Sequence, residues 1–398
     1  MQEISWKENL RVAWFGSFLT GASISLVVPF MPIFVEQLGI EGDQVAFYAG
    51  LAISVSAVSA ALVSPIWGIL ADKYGRKPMM IRAGLAMTIT MGGLAFVPNI
   101  YWLLFLRLLN GVFTGFVPNA TALIASQVPK DKSGAALGTL STGVVAGTLT
   151  GPFVGGLVAE IFGIRNVFLL VGSFLFLAAI LTIFFIKEDF QPVAKEKAIP
   201  TKEVFSSFKY PRLLVNLFLT SFVIQFSAQS IGPILALYVR DLGQTENLLF
   251  VSGLIVSSMG FSSMMSAGIL GKLGDKVGNH RLLVTAQIYS VIIYLLCAHA
   301  TSPLQLGLYR FLFGLGTGAL IPGVNALLSK MTPKSGISRI YSSNQVFYIG
   351  GVIGPMAGSA VAGQFGYHAV FYATSLCVAF SCLFNLLQFR TLLKVKEI

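Results

Sequence analysis

Two charged loops hold most of the chemistry this chain could perform. The first reads Gly68-Ile-Leu-Ala-Asp72-Lys-Tyr-Gly75-Arg76-Lys77-Pro78, and the second Gly271-Lys-Leu-Gly-Asp275-Lys-Val-Gly278-Asn-His-Arg281. Glycine lets a backbone turn tightly, and a carboxylate facing cations at a helix end can lock two helices and release them. A basic anchor around a turn would leave a similar pattern, but Asp72 and Asp275 at the same place in both loops favour the gate. Two more cations, Arg107 and Arg310, stand inside apolar stretches. Asn110 and Thr114 follow Arg107 at helical spacing and make one polar stripe with it. A charge at the centre of a membrane span costs ~2.5–3.5 kcal/mol on insertion scales, so Arg107 is expected to face protein rather than snorkel to the headgroups. Enzyme chemistry is poorly supplied. His280, His299 and His368 are scattered without metal-ligand spacing, and no nucleophile–base pair or phosphate-binding loop is visible. Cys297, Cys377 and Cys382 lie in apolar segments without a CxxC pair and read as packing residues. No metal and no cofactor are expected.

The elements that must carry these residues follow from composition. Only 11% of the 398 residues are charged and 55% are hydrophobic, whereas soluble domains carry roughly 25% charged residues. So few charges cannot cover a water-facing surface, and the solvent for most of the chain is lipid. The net charge of +11 does not imply a nucleic-acid partner, because the basic residues sit in short clusters between apolar stretches. Segments of helical spanning length fall at 11–35, 46–70, 79–97, 101–127, 134–159 and 166–186, then at 213–239, 248–271, 281–300, 304–329, 338–363 and 367–389. The first is expected to be an uncleaved span. The predicted fold is an all-α polytopic membrane protein of twelve transmembrane helices. With both termini cytoplasmic, 23 of the 27 Lys and Arg fall on the inner side, which sets the expected orientation in a cell membrane.

The chain repeats itself. Pro29 matches Pro233 at an offset of 204, while Gly68, Asp72 and Gly75 match Gly271, Asp275 and Gly278 at 203. Arg107, Gly111 and Gly115 match Arg310, Gly314 and Gly318, and Gly151-Pro152 matches Gly354-Pro355, at the same offset. Like-oriented halves of this kind define a parallel-repeat transporter. The expected division is a six-helix bundle over 1–187, a cytoplasmic linker over 188–212, and a second bundle over 213–398.

The first loop closely resembles motif A of the major facilitator superfamily. Arg107 to Gly115 resembles its motif B, and Gly143 to Gly156 (GVVAGTLTGPFVGG) its motif C, the mark of the drug:proton antiporter branches. Val28-Pro29-Phe30-Met31-Pro32 is similar to that branch's first-helix pattern. The resemblance implies a gate in which Asp72 meets the start of span 11, near Ser338 and Arg339, and Arg76, followed by Lys77, meets Asp131. It implies a proton role near Arg107, and by repeat near Arg310. No acid lies at mid-membrane depth where such pumps often carry one, so Glu36 and Asp72 are the candidate proton carriers.

Motif C also has a meaning of its own. Gly143, Gly147, Gly151 and Gly155 recur every four residues, so they form one stripe on a helix that another backbone can approach, and Pro152 predicts a bend. The resemblance places that stripe, and its repeat at Gly354 and Pro355, where the two halves rock. Neutral amides among aromatics (Asn119, Gln225, Phe226, Gln229, Asn325, Asn344 and Phe347) are the candidate substrate contacts. The implied activity is secondary-active export of amphipathic small molecules in exchange for protons, by a monomer in the lipid bilayer. A dedicated exporter of a sugar or amino-acid derivative would leave the same sequence signature.

Overall fold

The computed structural model describes residues 5–129, 132–190, 211–318, 320–331 and 349–394. The expected contacts at Asp131, Ser338, Arg339, Asn344 and Phe347 lie outside the described residues. What is described is helical, with no strand among the described residues. Among the described residues, eleven helical segments are long and apolar enough to cross a membrane. Of the remaining expected span, Gly350–Phe365 is helix and residues 332–348 lie outside the described residues.

Proline shapes the first span of each repeat. Helix α1 (Trp6–Val27) gives way to a 3₁₀ turn at Val28–Phe30 and resumes as α2 (Met31–Gln37). Pro29 and Pro32 donate no backbone hydrogen bond, which relaxes the helix there. The repeat copies the device through Pro233, with α9 (Pro211–Ser230), a 3₁₀ turn at Gly232–Ile234, and α10 (Leu235–Asp241). Between them run α3 (Gln44–Tyr74), α4 (Arg76–Gly93), α5 (Ile100–Phe113), α6 (Phe116–Gln127), α7 (Ser133–Phe162) and α8 (Ile164–Phe185). The second set continues with α11 (Leu248–Val277), α12 (Asn279–Ala298), α13 (Pro303–Thr317), α14 (Leu320–Met331), α15 (Gly350–Phe365) and α16 (Tyr367–Lys394). The turns that lead into α5 and α13 are capped by side chains. Asn99 accepts from the amides of Tyr101 and Trp102, and Ser302 accepts from that of Gln305.

The expected span 101–127 falls within one spanning segment, Ile100–Gln127, with a break inside it. It is two helices, α5 and α6, parted at Thr114–Gly115, and Gly115 has φ 134°, a conformation L side chains rarely adopt. The proline expected to bend α7 does not end it, and the helix runs through Pro152.

The chain forms two compact units. The first comprises residues 1–195 with 245–257, and the second 196–244 with 258–398. The start of α11 therefore groups with the first unit. In the first unit α1 lies against α7 and α8, α4 against α8, and α3 against α5. In the second, α9 lies against α15 and α16, and α12 against α16. Large apolar side chains such as Leu62, Ile69, Ile89 and Phe96 point outward and are more than two-thirds exposed, which suits a lipid-facing surface.

Candidate functional site

The first charged loop is built around a residue the motif does not contain. Helix α3 ends where the Gly75 amide donates to Ala71 O (3.0 Å), and Gly75 takes φ 99° to start α4 at once. The first amides of α4 have no intrahelical acceptor, and a carboxylate at a helix N-terminus supplies one. That carboxylate is Glu188, just beyond α8. Its Oε1 accepts from Arg76 N (2.8 Å) and its Oε2 from Lys77 N (2.7 Å), while Lys77 Nζ donates to Ile183 O (3.0 Å). A Cβ on Gly75 would lie 2.9 Å from Glu188 Oε2, so this glycine is needed for space as well as for its backbone angle. Arg76 pairs with Asp72 on the preceding turn. The partner expected for Arg76, Asp131, lies outside the described residues. In the second loop Asn279 takes the place of Arg76, and Asp275 is exposed. The two loops are therefore alike in backbone but not in charge.

A second cluster surrounds the break in α5–α6. The Arg82 guanidinium stacks 3.5 Å from the centroid of Trp67 and donates to Thr114 O (3.2 Å), and Trp67 Nε1 donates to Val112 O (2.6 Å). The carbonyls freed by the break are thus satisfied from α3 and α4. Asn119 donates to Gly115 O (2.8 Å), which ties this candidate substrate contact to the break itself. Beside the break lies a cavity of about 400 Å³, lined by Thr20, Ser64, Trp67, Gly68, Phe116 and Asn119 among others. Gly68, chosen as part of a turn, has open space where a side chain would be and borders this cavity. Arg82 and Trp67 carried no sequence signal beyond being a cation and an aromatic near a motif.

Arg107 is buried. Its Nε donates to Ala52 O (2.9 Å) and Nη1 contacts Met91 Sδ (3.6 Å), so the cation is held by a carbonyl and a polarizable sulfur. Next to it Ser56 and Ser59 donate to the carbonyls of Arg107 and Leu108 (2.5 and 3.0 Å), and a Cβ on Gly111 would collide with Ser56 O. The repeat uses Gly314 against Met259 and Ser262 in the same way. Arg310 is likewise buried, 5.6 Å from the Phe313 ring centroid. Thr114, placed on the Arg107 stripe by spacing, instead sits at the helix break. Glu36 lies in the last turn of α2 and is half-buried.

The glycine stripe of motif C packs against α1. A Cβ on Gly143 would stand 2.6 Å from Trp14 O, one on Gly151 2.8 Å from Ala22 O, and one on Gly155 2.9 Å from Leu26 O, while one on Gly147 would meet Phe18 O. All four face α1, so the stripe is consumed by packing inside the first unit. Its repeat behaves alike, for Gly350, Gly354 and Gly358 face the backbone of α9 at Phe222, Phe226 and Ser230. Pro355 is buried on the same helix. It is the neighbouring face of α7 that meets residues 249–253 of the first unit. Gly156 lies against Leu249 O, Gly253 against Pro152 O, Phe153 and Phe250 rings are 5.8 Å apart, and Glu160 Oε2 accepts from Leu249 N (3.1 Å) and Phe250 N (3.4 Å).

The second unit contains a polar network that the sequence did not announce. Asn216 Nδ2 donates to Asn385 Oδ1 (2.7 Å), and Asn385 Nδ2 donates to Thr220 Oγ1 (3.1 Å) and Gln287 Oε1 (3.0 Å). Gln287 Nε2 then donates to Ser381 Oγ (3.0 Å). These residues join α9, α12 and α16 by groups lipid could not satisfy. Of the candidate substrate contacts, Gln225 and Gln229 lie on α9 near Gly351, Phe226 stacks on Phe222 (5.9 Å), and Asn325 is half-buried on α14.

A repeated bundle of spanning helices with a buried cation and a cavity at a broken helix describes a multi-pass membrane transporter. The chain belongs to the Major Facilitator Superfamily, whose profile matches residues 13–226 and again 217–396. It is similar, at 90% identity over the full length of both, to the multi-drug resistance efflux pump PmrA of Streptococcus pneumoniae. It is 52% identical to the multi-drug resistance efflux pump PmrA homolog of Lactococcus lactis, over 99% of this chain and 98% of that one. It is 48% identical to the multidrug resistance protein MdtG of a Rahnella strain, over 95% and 92%. Among solved structures, a bacterial homolog of the human lysosomal transporter Spinster superposes with a TM-score of 0.82 at 15% identity, covering 98% of each chain, a likeness of fold.

Proposed function

We infer that this chain is a secondary-active multidrug efflux transporter of the cell membrane, exporting amphipathic small molecules by alternating access in exchange for protons. The observation that carries the reading is full-length similarity to efflux pumps from two Gram-positive genera, at 90% and 52% identity. The geometry is compatible with it. The first-unit cavity offers an indole, a phenylalanine, hydroxyls and an amide but no carboxylate among its lining residues, which suits flat amphiphiles held without one demanded geometry. In this reading Asn119 contacts substrate there, and Gln225, Phe226, Gln229 and Asn325 do so from the second unit.

The Asp72–Arg76 pair, with Glu188 beneath it, is the proposed gate on the cytoplasmic side. Arg107, with Arg310 as its repeat partner and Glu36 as an accessible acid, is the proposed centre of proton coupling. A monomer with both termini in the cytoplasm completes the proposal. Cells lacking their own pumps and expressing the chain should accumulate less ethidium than controls, and an uncoupler of the proton gradient should abolish the difference. Accumulation unaffected by the uncoupler would remove proton exchange. A broad dye panel without any transport would point to a dedicated metabolite exporter.

A further inference from the structure

A cavity of about 750 Å³ lies in the second unit between α9 and α16, within the ~300–1,000 Å³ usual for small-molecule sites. Its two walls run antiparallel, and the Asn216–Asn385 hydrogen bond sets their register. Arg212, which opens the seventh apolar segment, and Gln388 near the end of the last one therefore sit at the same end of the cavity. From Arg212 to Phe222 the helix rises ~15 Å, and along that length the lining turns to Leu219, Phe222, Phe380 and Phe384. Leu219, Phe380 and Phe384 are each about half exposed, as side chains facing acyl chains would be. The groove is thus amphipathic along its axis, with a cation at the membrane-surface end and an aromatic shaft beneath. Arg212 makes no ion pair among the described residues. At the offset of 204 the first repeat carries Glu8 in place of Arg212.

We propose that this groove binds one anionic phospholipid, its phosphate at Arg212 and an acyl chain along the phenylalanines. Basic pockets between membrane helices recognise such headgroups, and the inference rests on the chain spanning the bilayer, not on its cargo or its coupling ion. Cys377 is a built-in reporter. It lines the groove and is half-buried, whereas Cys297 and Cys382 are buried.

The test is N-ethylmaleimide labelling of Cys377 in the purified full chain in detergent, read by mass spectrometry, with phosphatidylglycerol or phosphatidylcholine added. Phosphatidylglycerol should slow labelling about fivefold more than phosphatidylcholine, which is the ~1 kcal/mol a basic side chain contributes at an anionic surface, at 1.4 kcal/mol per tenfold. Arg212→Gln should erase the difference and Arg212→Lys should keep most of it, with Cys297 and Cys382 staying slow in both as proof of fold. Equal protection by the two lipids, a difference that survives Arg212→Gln, or protection by inorganic phosphate alone would each overturn the proposal.

Discussion

Replacing Gly143 by alanine tests whether the motif C stripe is a packing seam against α1. The new Cβ would stand 2.6 Å from Trp14 O, where ordinary contact begins at 3.4 Å, so α1 and α7 must part by about 0.8 Å at that level. The obstacle is a backbone oxygen, which cannot swing aside as a side-chain tip can. Gly21 on α1 faces Val144 O at the same 2.6 Å, so the two backbones crowd each other from both sides and neither can yield alone. Over-packing of this kind costs ~1–3 kcal/mol, about a fivefold to hundredfold fall in the folded-to-unfolded ratio at 1.4 kcal/mol per tenfold. Gly138, five residues earlier on the same helix, has nothing within 4 Å of its Cβ position. There alanine should cost nothing and add up to ~1 kcal/mol of helix propensity. The assay is thermal unfolding of the purified protein in detergent, followed by tryptophan fluorescence. Trp14 lies in the seam, donating to Thr142 Oγ1 at 2.9 Å, and should report its opening. Gly143→Ala unfolding clearly below wild type, with Gly138→Ala at or above it, is the expected result. Equal midpoints for wild type and Gly143→Ala would refute the seam.

Three further perturbations address the other clusters. Glu188→Ala removes the acceptor for two α4 amides and should lower stability by ~1–2 kcal/mol, with Glu188→Gln intermediate; an alanine variant as stable as wild type in the same unfolding assay would dismiss the cap. Asn385→Leu strands Asn216 and Gln287 and should cost ~0.6–1.7 kcal/mol, the range measured for hydrogen bonds between membrane helices; a double variant with Gln287→Leu that adds the full cost of a second, independent loss would show the network to be uncoupled. Asp72→Asn breaks the pair with Arg76 and should slow ethidium efflux while leaving membrane expression intact; undiminished efflux at equal expression would rule out the gate.

The features legible without coordinates were those that lipid imposes on any chain. An apolar length of about twenty residues has one stable form in a bilayer, which is why, among the described residues, eleven spanning helices emerge where the segments lay. Offsets of 203 and 204 revealed the repeat because duplicated backbones keep their glycines and prolines, as the 3₁₀ turns around Pro29 and Pro233 show. The stripe at Gly143, Gly147, Gly151 and Gly155 was equally plain as a surface for close approach. What it approaches was not, because periodicity tells which residues share a face and is silent on which of several neighbours that face meets.

Sequence alone therefore determined the solvent, the repeat and the positions where backbones crowd, since each depends on composition or on local spacing. Tertiary structure alone decided the partners. Glu188 reaches back 112 residues to cap α4, Arg82 finds the carbonyl released at Thr114, and Asn216 meets Asn385 across 169 residues. A buried polar group takes whichever partner the packing brings within about 3 Å, and that proximity exists only once the helices have been assembled.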